Sequence, residues 1–95
     1  MNPFDALGSP VRRDILQALV LKPLTVGEIA QKFPVSRPAI SRHLKVLYDA
    51  GLVELKEVDT RNIYSIRTQG FESVREFLET FWSLSLNRIK ELAEE

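Results

Sequence analysis

Apolar side chains recur along this chain at two spacings, and the changes between them divide it into elements. Val11, Ile15, Leu16, Leu19 and Val20 fall at helical intervals and predict an amphipathic helix with those five on its inner face. Ser9-Pro10 opens that helix as N-cap and first helical residue, and Lys22-Pro23 closes it. A short leading helix over 2–7 precedes it, interrupted at Gly8. Thr25-Val26-Gly27-Glu28 has the form of a capping box, and Val26, Ile29, Ala30 and Phe33 form the apolar side of the short helix it starts. Pro34 stops that helix, because a residue before proline is pushed out of the α region. Ser36 caps the next helix, whose apolar side is Ala39, Ile40, Leu44 and Leu47, and Gly51 stands where a left-handed C′ residue is expected.

The spacing then changes. Leu52, Val53 and Leu55 make one extended stretch and Ile63, Tyr64 and Ile66 a second, with Asp59, Thr60, Arg61 and Asn62 as the turn between them. After Gly70 the helical period returns and holds to the end, with Phe71, Val74, Phe77, Leu78, Phe81, Leu84, Leu86, Ile89 and Leu92. The expected fold is mainly α with a β-hairpin, in the order four helices, hairpin, helix. All 95 residues are expected to form one domain.

Composition narrows the chemistry. The chain has no cysteine, which excludes disulfides, thiolate metal sites and a cysteine nucleophile. No apolar run approaches the ~18–20 residues that span a bilayer, and no basic segment followed by an apolar stretch opens the chain, so a cytoplasmic location is expected. Thirteen basic and thirteen acidic side chains cancel, which at first argues against a nucleic-acid partner. The cancellation is uneven. Residues 1–69 hold ten basic against seven acidic side chains, a net of +3, and residues 70–95 hold three against six, a net of −3. Residues 29–48 carry four positive side chains and no acid.

That basic stretch coincides with two short helices joined at Phe33-Pro34-Val35-Ser36, the layout of a helix-turn-helix. In such a motif the second helix enters the DNA major groove, which is about 12 Å wide and admits one helix. A groove-reading helix needs a small or polar tip, donors behind it and an apolar back. Ser36, Arg37, Pro38, Ser41, Arg42 and Lys45 against Ile40, Leu44 and Leu47 meet that description. The hairpin makes the motif a winged helix, with Arg61 and Asn62 as candidate wing contacts.

The same residues carry a resemblance. Phe4-Asp5-Ala6-Leu7-Gly8-Ser9-Pro10-Val11-Arg12-Arg13 followed by Ile15-Leu16, then Thr25 to Ala30, Ser36 to Leu47, Ala50-Gly51-Leu52-Val53 and Tyr64-Ser65-Ile66, resemble in order the motifs of the ArsR family of bacterial winged-helix repressors. The resemblance covers about residues 4–66. It implies a homodimer on double-stranded DNA, with first and last helices packed across the two-fold axis and two reading helices set on an inverted-repeat operator. The reading helix would span about 36–50, the wing about 52–67 and the dimerisation helix about 71–93. Many members sense metal through cysteines on the first helix of the motif, or through Asp, His and Glu on the last helix. Here the first position reads Ile29-Ala30-Gln31-Lys32, and the last helix has no histidine. No thiolate-bound metal and no cofactor are expected, and the chain most resembles the metal-site-free subset that includes SdpR-like autorepressors. The wing departs as well: where the family often has Gly-Arg, Thr60-Arg61 stands here.

Several residues keep two readings. Arg42 is the best candidate for reading a base, with a phosphate contact as the alternative; Arg37 and Lys45 read as phosphate contacts. Ser36 is a helix cap first, and Ser41 suits a base or a phosphate. His43, the only histidine, is a candidate DNA contact or a packing residue. Arg12 and Arg13 suit a structural ion pair or DNA. Phe4, Leu7, Phe71, Val74, Phe77, Leu78, Phe81 and Trp82 are the expected dimer interface, a ligand pocket being the alternative for the aromatics. A protein-binding winged helix that never enters a groove is the competing function. An enzyme is disfavoured, since no second histidine and no glycine-rich phosphate loop are present.

Overall fold

The structure, a computed structural model, describes residues 1–94. In chain order it comprises α1 (Pro3–Ala6), α2 (Pro10–Leu21), β1 (Leu24–Thr25), α3 (Val26–Lys32), α4 (Arg37–Asp49), β2 (Val53–Val58), β3 (Arg61–Ile66), a 3-10 turn (Thr68–Phe71) and α5 (Glu72–Glu94). This is a winged helix-turn-helix, with α3 and α4 as the motif and β2–β3 as the wing.

Side-chain caps start the helices where the sequence places them. Ser9 accepts from the Arg12 N–H and Ser36 from the Ala39 N–H. Thr25 and Glu28 form a complete capping box, the Thr25 N–H donating to the Glu28 carboxylate and the Glu28 N–H to the Thr25 hydroxyl oxygen. The hydrogen bonds that the Thr25 backbone, then its side chain, make to the carboxylate hold it below its ordinary range. The far end of α4 closes as a Schellman motif: the Leu52 N–H donates to the Leu47 carbonyl and the Gly51 N–H to the Tyr48 carbonyl. Gly51 takes the left-handed φ of 79° that this motif requires. Gly70 approaches the same corner so closely that a Cβ there would lie 1.8 Å from the Gly51 carbonyl oxygen. The 3-10 turn is thereby stitched to the end of α4.

The hairpin differs from expectation in two ways. Its sheet has three strands in the order β1-β3-β2, because Leu24 and Thr25 pair with Tyr64 and Ile63. That two-residue strand has no period of its own to reveal it. The turn holds only Asp59 and Thr60, both at positive φ (49° and 65°) as a type I′ hairpin turn requires, and Arg61 and Asn62 already belong to β3. Their pairing with Val58 and Glu57 takes them out of the turn.

The core lies in the part of the chain before α5, residues 1–71, here called the head. Ile15, Leu16 and Leu19 of α2, Leu24 of β1, Ile29 of α3, Ile40, Leu44 and Leu47 of α4, and Leu52-Val53 are buried together with Ala6. Val20, assigned to the inner face of α2, is instead 71% exposed: it sits in the last turn, at the rim of an open apolar groove with Leu16, Ile66 and Phe71. Beyond the head, α5 continues as a bare rod. Its 23 residues extend about 34 Å. The radius of gyration is 17.0 Å, against about 12 Å for a compact chain of this length. On its polar side Arg75 is bracketed by Glu72 and Glu79, which raise its already high pKa.

Candidate nucleic-acid interface

The polar face of α4 is built by spacing. Arg37, Ser41 and Lys45 follow one another at four-residue steps, and Pro38 and Arg42 run beside them. All five are exposed, as is Ser36, while Ile40, Leu44 and Leu47 on the opposite side seal the helix to the head. Arg37 and Arg42 thus present their guanidinium groups on an exposed face. Lys45 donates to Asp49 at 2.9 Å, a one-turn pair that raises the ammonium pKa and keeps it charged. The Ser36 hydroxyl oxygen accepts from the Ala39 N–H at 3.3 Å, so its cap role is occupied and only its own proton remains to donate.

The wing meets the reading helix at one groove. Thr25, Val26 and Gly27 at the start of α3, Arg37 at the start of α4, and Thr60, Arg61 and Asn62 of the wing line an open concavity of about 340 Å³. Arg61 also lies 3.8 Å from Glu28. The structure therefore brings together Arg37, Arg61 and Asn62, which the sequence placed in separate elements. The place of Thr25–Gly27 in this groove was not legible there, since the capping box that marks them signals a helix start and not a surface beside the wing. Tyr48, half exposed and one helical turn beyond Lys45, lies outside this groove and lines a separate open concavity with Leu55 and Arg67.

His43 stands apart from this face. It is half buried, and burial, then the charges of Arg12 and Arg42, hold its imidazole below the ordinary pKa of 6.5. Among the described residues Arg12 and Arg13 form no ion pair. Arg12 donates to the carbonyls of Ala6 (2.7 Å) and Asp5 (3.2 Å), and Arg13 to that of Leu7 (2.7 Å). Those are carbonyls at the end of α1, of which that of Asp5 also accepts from the Gly8 N–H at 3.0 Å.

The expected interface residues of α5 divide into two groups. Phe71 precedes the helix, in the 3-10 turn, and with Leu7 packs partly buried against the head's own core; Val74 is half buried. Phe77, Leu78, Phe81 and Trp82 are open to solvent, continued by Leu84, Ile89 and Leu92. Phe77 meets Phe4 of the head edge-on at a centroid distance of 5.5 Å. Among the described residues no group of three or more His, Asp or Glu is placed to hold a metal ion, and no helix is long and apolar enough to cross a membrane.

Comparison with known proteins bears on this geometry. A family model described as a helix-turn-helix domain matches residues 7–56. The HTH-type transcriptional regulator Rv2034 of Mycobacterium tuberculosis is 42% identical over 89 residues, 94% of this chain and 83% of the relative. The transcriptional repressor SdpR of Bacillus subtilis is 37% identical over 67 residues, 70% of this chain and 74% of its own length. Among solved structures, an ArsR-like transcriptional regulator from Rhodococcus sp. RHA1 superposes with a TM-score of 0.74 at 32% identity, covering 95% of this chain and 88% of that one.

Proposed function

This chain belongs to the ArsR family of winged helix-turn-helix transcriptional regulators, and from that premise we propose that it works as a homodimer that occupies an inverted-repeat operator and blocks a promoter sterically. It is a DNA-binding transcriptional repressor, not an enzyme. The observation that carries the finer reading is the convergence of Arg37 with Arg61 and Asn62 on one groove beside the exposed face of α4. A helix lying in the major groove along Ser41, Arg42 and Lys45 would set Arg37 and the wing against the flanking backbone.

In this reading Arg42 contacts a base edge, a bidentate guanine contact being worth about 1–3 kcal/mol of discrimination. Arg37, Lys45, Arg61 and Asn62 hold phosphates, with the Lys45 ammonium exchanging Asp49 for the backbone. Ser36 and Pro38 shape the helix tip, and His43 supports it from behind. The exposed row Phe77, Leu78, Phe81 and Trp82 supports a dimer, since so much bare apolar surface is unusual for a monomer. Phe4 and Leu7 border that row. The dimer would set two reading helices about 34 Å apart, one turn of DNA. A chain without cysteine cannot hold metal by thiolates, so release from DNA would not use the family's thiolate sensing.

Selection of bound fragments from random DNA, followed by electrophoretic titration over a salt series, tests this reading. Arg42→Ala is expected to relax preference at one base pair in each half-site. Lys45→Ala is expected to weaken all sequences alike and reduce the salt slope by about 0.9, one phosphate's worth. Unchanged base preference in Arg42→Ala contradicts the readout assignment, and binding without any sequence preference contradicts the operator.

A further inference from the structure

With four residues, α1 cannot hold itself together, and its direction depends on what is attached to its ends. Asn2 caps its start, accepting from the Asp5 N–H at 2.9 Å. Its end is gripped by Arg12, whose Nε and Nη2 donate to two successive carbonyls, Ala6 and Asp5, from one planar fork. Ala6 itself is fully buried, so the grip fixes α1 against the core. On its other side α1 reaches α5 through the edge-on contact of Phe4 with Phe77. Among the described residues, α1 and the 3-10 turn leading into α5 are the elements with substantial contact to that helix, and α1 also touches α4.

We propose that Arg12 is a positioning residue that sets the direction in which α5 leaves the head, and through it the half-site spacing that the dimer accepts. The inference rests on the dimeric reading above. The leverage is geometric. A 10° swing at the base of this 23-residue helix moves its far end by about 6 Å, at ~1.5 Å rise per residue. That displacement approaches two base-pair steps of roughly 3.4 Å. Lysine keeps the charge of Arg12 but has no fork to span two carbonyls, so Arg12→Lys frees α1 without emptying the site of its cation. Phe4→Leu cuts the same chain of contacts at its other end. Phe4 lies outside the buried core, so this second variant keeps the head folded. Arg13 binds a single carbonyl, which a lysine also reaches, and Arg13→Lys is the control.

The test measures affinity for duplexes carrying the selected operator with its half-sites moved one or two base pairs closer or further apart, together with a duplex holding one half-site. Wild type and Arg13→Lys are expected to lose about tenfold or more at two base pairs from the optimum, because avidity fails once geometry forbids both contacts. Arg12→Lys and Phe4→Leu are expected to flatten that profile to within about threefold while still sedimenting as dimers and binding the single half-site within about twofold of wild type. A flat profile with the variants sedimenting as monomers overturns the positioning role. A merely structural role would weaken every duplex together and leave the profile's shape intact. A sharp wild-type profile reproduced by Arg12→Lys and Phe4→Leu overturns this inference alone. A wild type that sediments as a monomer, or has no spacing optimum, overturns the dimeric reading and this inference with it.

Discussion

The helices α4 and α5 carry apolar side chains at the same helical period and expose them oppositely. Ile40, Leu44 and Leu47 of α4 are sealed from water, whereas Phe77, Phe81 and Trp82 of α5 stand 58%, 62% and 66% exposed. The difference lies in what surrounds them. Around α4 the chain supplies α2, α3 and the base of the wing; among the described residues, α5 meets chiefly α1 and the 3-10 turn, and most of its length is open to solvent. The periodicity of an amphipathic helix identifies its apolar face but not what covers that face. The head is a folded unit closed on itself, whereas the apolar face of α5 is left open, as the proposed dimer requires.

Substitutions of similar kind should therefore act differently in the two regions. Leu44→Ala is expected to destabilise the head by about 2–5 kcal/mol, with an unfolding midpoint that shifts alike at all protein concentrations. Phe81→Ala is expected to cost about 2 kcal/mol as well, but in dimer affinity, raising the dissociation constant roughly 30-fold in sedimentation. The stability of the separated head should barely move. A large, concentration-independent loss in Phe81→Ala would mean that α5 belongs to the core.

Smaller effects sharpen the account of the head. Thr60 is a β-branched residue at φ 65°, a conformation that disfavours branched side chains. Thr60→Gly is expected to stabilise the fold by about 1 kcal/mol in chemical denaturation, without changing oligomeric state. The smallest effect concerns His43. Its pKa in the folded protein lies below the ordinary 6.5, so the unfolded chain binds the proton more readily. Its contribution to stability is complete above pH ~6.5 and is lost as pH falls through the lowered value. Melting curves between pH 5 and 8 should show this slope, and His43→Gln should flatten it.

Much of this was legible from the sequence wherever a local signal sets the structure. Ser9, Thr25 and Ser36 mark helix starts because a cap acts within three residues of itself. Gly51 marks the end of α4 for the same reason. The illegible parts depend on distant partners. The strand β1 exists only by pairing with Ile63 and Tyr64, nearly forty residues away. Arg12 and Arg13 could be read as cations, but their targets are backbone carbonyls, which every residue has. Val20 fell on the right period and still faced water, because the head ends before it. The candidate site divides along the same line: the face of α4 follows from spacing, while its meeting with the wing and with Thr25–Gly27 follows from the sheet.

The central claim is that α5 joins two heads so that two reading helices meet DNA together. Hydroxyl-radical footprinting on a selected operator tests it most directly. Two protected patches related by a two-fold axis and centred about 34 Å apart, one turn of duplex, are expected. A single patch the width of one head, retained at saturating protein, would contradict the claim.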